Sequence, residues 1–214
     1  LQKIGKNDLV IKIDACGICS SDLKFIYTGS RINKYPIVLG HEIAGQISKN
    51  KHIILGAEAP CLKCASCKKF KIDTNLCDNP ISVGSNFDGG FGNYFIISKK
   101  ILSKIPHIIY KSKKSLSYAP LAESLACVIN GLEITNFKKN QTIVIIGAGY
   151  MGLLFVALSK LKKAKKISIV DFDKNRLKIA KILGASSLFE IKKSEKNIVN
   201  KILLPTKKEG YDVV

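Results

Sequence analysis

Arginine, histidine, tryptophan and methionine are scarce in this chain of 214 residues. It has no tryptophan, one methionine and three histidines, and its only arginines are Arg31 and Arg176. Arginine is the preferred side chain for bidentate hydrogen bonds to phosphate groups and to guanine edges. The net charge of +19 comes almost entirely from scattered lysines, and it therefore does not favour a nucleic-acid partner. A basic nucleic-acid-binding zinc protein remains an alternative that only the charge and the cysteines support.

Long uncharged runs are also rare, and only residues 141–159 approach the length of a membrane span. This run divides into a β-branched strand, a turn with three glycines and an apolar helix. Such a composition is typical of a buried strand–turn–helix unit rather than of a membrane helix. No secretion signal is visible, so we expect a cytoplasmic protein with no membrane partner.

The two parts of the chain differ in their sequence pattern. In residues 1–115, short apolar or alternating runs are punctuated by glycine, asparagine and proline, which predicts a β-rich barrel or sandwich. In residues 116–214, strands and helices alternate with short loops, which predicts a parallel sheet with right-handed crossovers. Hydrophobic residues make up 46% of the chain, enough for a buried core. The chain begins at Leu1 and stops where a further strand is predicted to start, so we expect it to be incomplete at both ends.

The individual elements are predicted from the same patterns. In the first part we predict strands over residues 9–13, 43–48, 51–55 and 94–98, and a helical turn over 20–27 that is capped by Ser20 or Ser21. In the second part we predict helices over 116–132, 149–161, 173–183 and 195–204, and strands over 142–146, 166–171, 187–191 and from 211 onwards.

Four of the seven cysteines crowd into seventeen residues. They are Cys61, Cys64, Cys67 and Cys77. Four thiolates at this spacing can surround one tetrahedral zinc ion, and such a closed site would stabilise the fold without taking part in chemistry. An iron–sulfur cluster or a pair of disulfides is the alternative.

A second candidate metal site mixes soft and hard ligands. Cys19 follows the first predicted strand, and His41 and Glu42 directly precede the second. A mixed set of this kind that leaves a coordination position open is typical of catalytic zinc. Taken singly, each residue also has an ordinary structural explanation.

A glycine-rich turn follows the strand at residues 142–146. Gly147 is expected to form the tight turn, Gly149 to let the pyrophosphate approach the backbone, and Gly152 to let helix and strand pack closely. Tyr150 and Met151 open the helix, whose N-terminus can hold the phosphates. Asp171, at the end of the next strand, can accept hydrogen bonds from ribose hydroxyls and repel a 2′-phosphate, which favours NAD over NADP.

The motifs above, together with two further stretches, occur in the order known from one enzyme family. Their order resembles that in the zinc-dependent medium-chain dehydrogenases. The stretches are CGICSSD, GHEIAG, the cysteine cluster, DGGFGNY at 88–94, LAESLACVINGL at 121–132 and GAGYMG. The chain most resembles the sorbitol, threonine and polyol dehydrogenases of that family. The resemblance implies a GroES-like β-rich barrel lobe, followed by a doubly wound Rossmann domain that is incomplete here. It also implies a homo-oligomer, either a dimer or a tetramer.

The resemblance also implies roles for individual residues. Cys19, rather than Cys16, matches a ligand of the catalytic zinc, together with His41 and Glu42. Glu123 matches the glutamate that completes or approaches the zinc shell. Ser21 matches the hydroxyl that relays the substrate proton, and Asp22 matches the carboxylate that orients the histidine. The implied reaction is hydride transfer from a secondary alcohol, such as a polyol, a sugar or an amino alcohol, to NAD.

The sequence departs from the family pattern at several points. His41 and Cys61 are only twenty residues apart, so the first lobe is expected to be shortened. The gap between Cys67 and Cys77 is longer than usual, and Ser124 replaces the proline that normally follows the glutamate. A catalytically inactive or truncated relative that binds zinc and NAD is therefore the main alternative to an active dehydrogenase.

Overall fold

The structure is a computed structural model, and it describes residues 4–30, 32–33, 35–70, 76–114, 117–192, 197–207 and 209–214. The chain forms two compact units, Leu1–Ser124 and Leu125–Val214. The domain boundary predicted between residues 115 and 116 falls on two residues outside the described ranges. Among the described residues, no helix combines the length and the apolar character needed to cross a membrane.

The first unit is built on an antiparallel sheet of five strands in the order β6-β1-β2-β3-β7. The strands of this unit are β1 (Asp8–Gly17), β2 (Glu42–Ser48), β3 (Lys51–Leu55), β4 (Glu58–Ala59), β5 (Ile81–Ser82), β6 (Tyr94–Ser98) and β7 (His107–Lys111). Strands β4 and β5 pair with each other as a separate ribbon. The predicted β-rich architecture is confirmed, and β1 extends beyond the predicted 9–13 at both ends.

One face of this sheet forms the core of the first unit. Ile11, Ile43, Ile53 and Ile97 lie on neighbouring strands, and each is at most 1% exposed. Burying an aliphatic side chain of this size stabilises a fold by about 1.5–3 kcal/mol. This packed face fixes the register of β1 against β2, which pairs Gly17 with Glu42. The polar residues that follow β1 are thereby placed beside those that open β2.

Three helices accompany these strands, and a fourth begins at the end of the first unit and continues into the second. They are α1 (Ser20–Thr28), α2 (Ala65–Phe70), α3 (Lys99–Leu102) and α4 (Leu121–Ile134). The prediction that Ser20 or Ser21 caps α1 is wrong, because the cap residue is Cys19, whose N–H donates to the Asp22 carboxylate at 2.8 Å. Helix α4 was predicted to begin at residue 116, which lies outside the described ranges, and it starts only at Leu121. Pro120 directly before it disfavours helical geometry in the preceding residue.

The second unit has a parallel sheet in the order β10-β9-β8. Its elements are β8 (Thr142–Ile146), α5 (Tyr150–Leu161), β9 (Lys166–Asp171), α6 (Lys174–Leu183), β10 (Ser187–Glu190), α7 (Ile198–Leu203) and a short 3₁₀ turn (Leu204–Thr206). The predicted strand–helix alternation and the division of residues 141–159 into strand, turn and helix are confirmed. The predicted start of α7 at residue 195 lies outside the described ranges.

The strand predicted from residue 211 onwards is reduced to a single parallel bridge. Val213 lies beside Ile143 of β8. The Val213 N–H donates to the Thr142 carbonyl at 3.2 Å, and its own carbonyl accepts from Val144 N–H at 3.0 Å. The edge of β8 that faces away from β9 is therefore also hydrogen-bonded to another segment of the chain.

Candidate metal centres and dinucleotide turn

The first candidate site lies where β1 ends and β2 begins. Cys19 follows β1 at the start of α1, His41 immediately precedes β2, and Glu42 is the first residue of β2. Because Gly17 and Glu42 are paired in the sheet, these three residues meet although twenty-two positions separate Cys19 from His41. One ligand atom from each, the thiol sulfur, a ring nitrogen and a carboxylate oxygen, lies within 4.8 Å of the others. The structure thus brings together three of the four residues predicted to bind the catalytic metal.

Asp22 is positioned to orient His41. One Asp22 oxygen accepts from Cys19 N–H, and the other lies 3.5 Å from His41 Nδ1. That second oxygen is buried and has no hydrogen-bond partner among the described residues. A histidine that binds metal through one ring nitrogen commonly donates its other N–H to such a carboxylate. The orphaned oxygen therefore fits a metal-bound His41. Ser21, which precedes Asp22 in the chain, is half-buried.

Glu42 is held by two residues for which no role was predicted. The Ser124 hydroxyl donates to Glu42 Oε1 at 3.1 Å. A Cβ atom at Gly17 would lie 1.8 Å from Glu42 Oε2, so only glycine leaves room for this carboxylate. The serine in place of proline was the one signal that could have identified Ser124. The role of Gly17 could not have been found without the β1–β2 register.

Glu123 is not part of the group of three ligand atoms. It lies in the first turn of α4 and is half-buried. Burial raises the pKa of its carboxyl group, His41 opposes this shift, and the nearby Glu42 and Glu58 carboxylates reinforce it. Glu123 is therefore an electrostatic neighbour of the site, and direct ligation by Glu123 stays a prediction.

The four clustered cysteines converge as their spacing predicts. The sulfur atoms of Cys61, Cys64, Cys67 and Cys77 all lie within 4.8 Å of one another. These four cysteines are free in the structure, so no disulfide bond joins them. Cys77 joins the group despite the long gap before it, and its sulfur accepts from Cys61 N–H at 3.3 Å.

Backbone amides favour the negatively charged thiolate form of one cysteine in this cluster. The N–H groups of Lys63 and Cys64 each donate to the Cys61 sulfur at 3.4 Å. These two bonds lower the pKa of the Cys61 thiol to about 6. Burial raises the pKa of Cys67 to about 12, and the neighbouring sulfurs add to the effect. A ligand set of four sulfurs, one of them already favouring the thiolate, fits a tetrahedral zinc ion.

The glycine-rich turn of the second unit has the geometry that its motif predicts. Gly147 has φ +99°, a left-handed conformation that favours glycine. Gly149 caps α5, and the space around it is open. A Cβ atom at Gly152 would lie 1.9 Å from the Gly147 carbonyl oxygen. Tyr150 and Met151 follow at the start of α5, where they are partly exposed, with 48% and 38% of their surface accessible.

The Asp171 carboxylate fastens this turn to the end of β9. One oxygen accepts from Ala148 N–H at 2.6 Å, and the other accepts from Asp173 N–H at 2.8 Å. Burial disfavours the charged form, but the amides of Asp173 and Ala148 outweigh it, and the pKa of Asp171 is lowered. A carboxylate has about four acceptor positions, so this one retains capacity for ribose hydroxyls.

Two glycine variants separate folding of the turn from binding by the turn. Gly152→Ala places a methyl group against the Gly147 carbonyl, so we expect a loss of stability of about 1–3 kcal/mol together with loss of dinucleotide binding. Gly149→Ala meets no atom within 4 Å, and its φ of −70° suits alanine. This variant should therefore keep its melting temperature and lose affinity for the dinucleotide. Thermal denaturation and calorimetric titration with NAD and with NADP distinguish the two, and equal melting temperatures would contradict the prediction.

Comparison with known proteins shows which proteins the chain is similar to. Residues 5–107 match the alcohol dehydrogenase GroES-like domain. Sorbitol dehydrogenase of Bacillus subtilis is 32% identical, over 98% of this chain and 61% of the relative. D-xylulose reductase A of Aspergillus oryzae is 30% identical, over 86% of this chain and 53% of the relative. The chain thus spans little more than half the length of these curated relatives.

Solved structures show the same fold. An alcohol dehydrogenase from Thermotoga maritima superposes with a TM-score of 0.83 at 22% identity, over 99% of this chain and 64% of the other. A protein from Sinorhizobium meliloti described as a zinc-binding dehydrogenase, bound to NADP, superposes with a TM-score of 0.77 at 27% identity, over 88% of this chain and 56% of the other. By its motifs, its fold and its relatives, the chain is similar to the zinc-dependent medium-chain alcohol and polyol dehydrogenases, and its residues 5–107 match their GroES-like domain.

Proposed function

We propose that the protein containing this chain oxidises a secondary alcohol, with zinc as its Lewis acid and NAD as its hydride acceptor. The observation that carries the proposal is the convergence of Cys19, His41 and Glu42 beside the orphaned Asp22 oxygen. The relatives named sorbitol dehydrogenase and D-xylulose reductase support a polyol or a sugar as the substrate. An amino alcohol is the third candidate.

The residues of the first unit perform distinct tasks in this proposal. Cys19, His41 and Glu42 hold the metal, and Asp22 fixes the ring of His41. Zinc, when bound, lowers the pKa of an alcohol oxygen as it lowers that of water. The Ser21 hydroxyl accepts the substrate proton and passes it on towards solvent. Glu123, whose pKa is raised by burial, approaches or completes the zinc shell, and the cysteine cluster holds a second, structural ion.

The residues of the second unit bind the cofactor. The amides at the start of α5 hold the pyrophosphate, since this helix N-terminus carries partial positive charge. The Asp171 carboxylate accepts hydrogen bonds from the ribose hydroxyls and disfavours a 2′-phosphate. The nearby cations already have acidic partners: Lys174 lies 3.5 Å from Glu190, and Arg176 lies 3.8 Å from Asp173. These contacts support NAD over NADP, although one structural neighbour binds NADP.

Zinc content and turnover test the proposal together. We expect two zinc ions per chain by elemental analysis, and reduction of NAD, in preference to NADP, with at least one polyol in a substrate panel. One retained ion, with no turnover, would instead support a catalytically inactive relative. Turnover that survives complete removal of zinc would rule the proposal out. Light scattering on the same sample tests the expected dimer or tetramer.

A further inference from the structure

The Glu42 carboxylate is confined on two sides. Glu42 and Ser124 are only 5% and 4% exposed, and the hydrogen bond from Ser124 to Oε1 is a contact across 82 positions of sequence. On the other side, Oε2 and the carboxyl carbon would lie 1.8 Å and 2.9 Å from a Cβ atom at Gly17. The carboxylate therefore occupies the space of an absent side chain and is tethered by a hydroxyl group.

This confinement matters because a glutamate side chain has several rotatable bonds. A buried carboxylate without hydrogen bonds or a charged partner is costly, and an untethered one would turn away from its neighbours. The tether instead leaves a Glu42 oxygen within 4.8 Å of ligand atoms of Cys19 and His41. The Glu42 conformation that the hydroxyl group stabilises is thus the one in which three ligand atoms converge.

We propose that Ser124 is a positioning residue, which holds Glu42 in the conformation that binds a divalent metal ion together with Cys19 and His41. The proposal rests on the proposed function only in requiring a metal at this site. Partners that hydrogen-bond a ligating group typically change metal affinity by about 10–100-fold when they are removed. If Ser124 merely satisfied a buried oxygen, its loss would lower stability and leave metal affinity unchanged.

The test uses a matched pair of substitutions at one position. Ser124→Thr keeps the hydroxyl group, whereas Ser124→Val has the same shape as the threonine variant without it. We expect Ser124→Val and Ser124→Ala to bind zinc at the Cys19 site about 10–100-fold more weakly in competition with a chromophoric chelator. The zinc affinity of Ser124→Thr should remain close to that of the unsubstituted protein. The thiolate-to-metal absorption of the cobalt-loaded protein should change in the valine and alanine variants only.

Two internal references accompany the measurement. The cysteine cluster should keep its ion with unchanged affinity in every variant. Ser159→Ala removes another buried serine hydroxyl, one with no hydrogen-bond partner among the described residues, and it should leave both metal sites unchanged.

The possible outcomes separate this inference from the proposed function. Two zinc ions in the unsubstituted protein, with the same affinity and cobalt spectrum in Ser124→Val, would overturn the role of Ser124 alone. The role of Ser124 would be overturned by that result even if the melting temperature of the valine variant fell. Uptake of a single ion by the unsubstituted protein, held by the cysteine cluster, would overturn the proposed function and the role of Ser124 with it.

Discussion

A Cys19→Ala variant should lose turnover by at least about 10³-fold and still bind NAD. The substitution removes the only thiol among the three converging ligand atoms, and with it the zinc that activates the alcohol in the proposed function. A Lewis acid contributes several kcal/mol of transition-state stabilisation, and about 4 kcal/mol corresponds to a factor of about 10³ in rate. The NAD affinity should be unchanged within a few-fold, because the glycine-rich turn belongs to a separate compact unit.

Cys16 provides the matched control for this variant. It lies three residues earlier on β1, packs against the core of the first unit and is not among the converging ligand atoms. Burial raises the pKa of its thiol to about 12, so the thiol stays protonated in the metal-free fold. Cys16→Ala should therefore keep its zinc and most of its turnover. Equal losses in the two variants, or full turnover in Cys19→Ala, would show that Cys19 is not the ligand.

A Cys64→Ser variant should lose the structural zinc ion and much of the stability of the first unit. The Cys64 sulfur lies among the other three cysteine sulfurs and accepts from Cys67 N–H at 3.4 Å and from Asp78 N–H at 3.5 Å. Structural zinc contributes about 10–16 kcal/mol of apparent binding energy in small domains. Losing about 4 kcal/mol of this would lower the melting temperature by roughly 10–20 °C.

Chelation and a second cysteine variant complete this experiment. Stripping zinc from the unsubstituted protein should lower its melting temperature as much as the substitution does, and should have little further effect on Cys64→Ser. Cys127→Ser, which changes an exposed cysteine outside both metal groups, should melt like the unsubstituted protein. A chelator-insensitive melting temperature in the unsubstituted protein would mean that the cluster holds no stabilising metal.

Local patterns were sufficient to predict most of the elements. The strands Lys51–Leu55, Tyr94–Ser98 and Thr142–Ile146 have the bounds that hydrophobic alternation and the flanking turn residues indicated. Helix α6 ends at Leu183 as predicted, and Gly184 after it has φ +119°. The cap of α1 was missed because Cys19 is a poor cap by residue type, and only the contact with Asp22 fixes the start of the helix.

Spacing predicted the groups that lie within one short segment, and the resemblance to a family predicted that Cys19 meets His41 and Glu42. The spacing of the clustered cysteines and of the glycines encodes their geometry, because each group lies within one short segment. The contact of Ser124 with Glu42 and the room that Gly17 leaves for the Glu42 carboxylate depend on strand register and on the path of α4. Those features arise from packing of distant segments, which no local pattern records.

The single bridge at Val213 has a consequence for the cofactor. From β8 the chain proceeds in one direction, to β9 and then β10, but Val213 lies on the opposite side of β8. The strand order therefore reverses at β8. Crevices at such topological switch points are where open α/β sheets bind their ligands. The open space at Gly147 lies at this switch point, so we expect the route of the chain, as well as the glycines, to place the cofactor there.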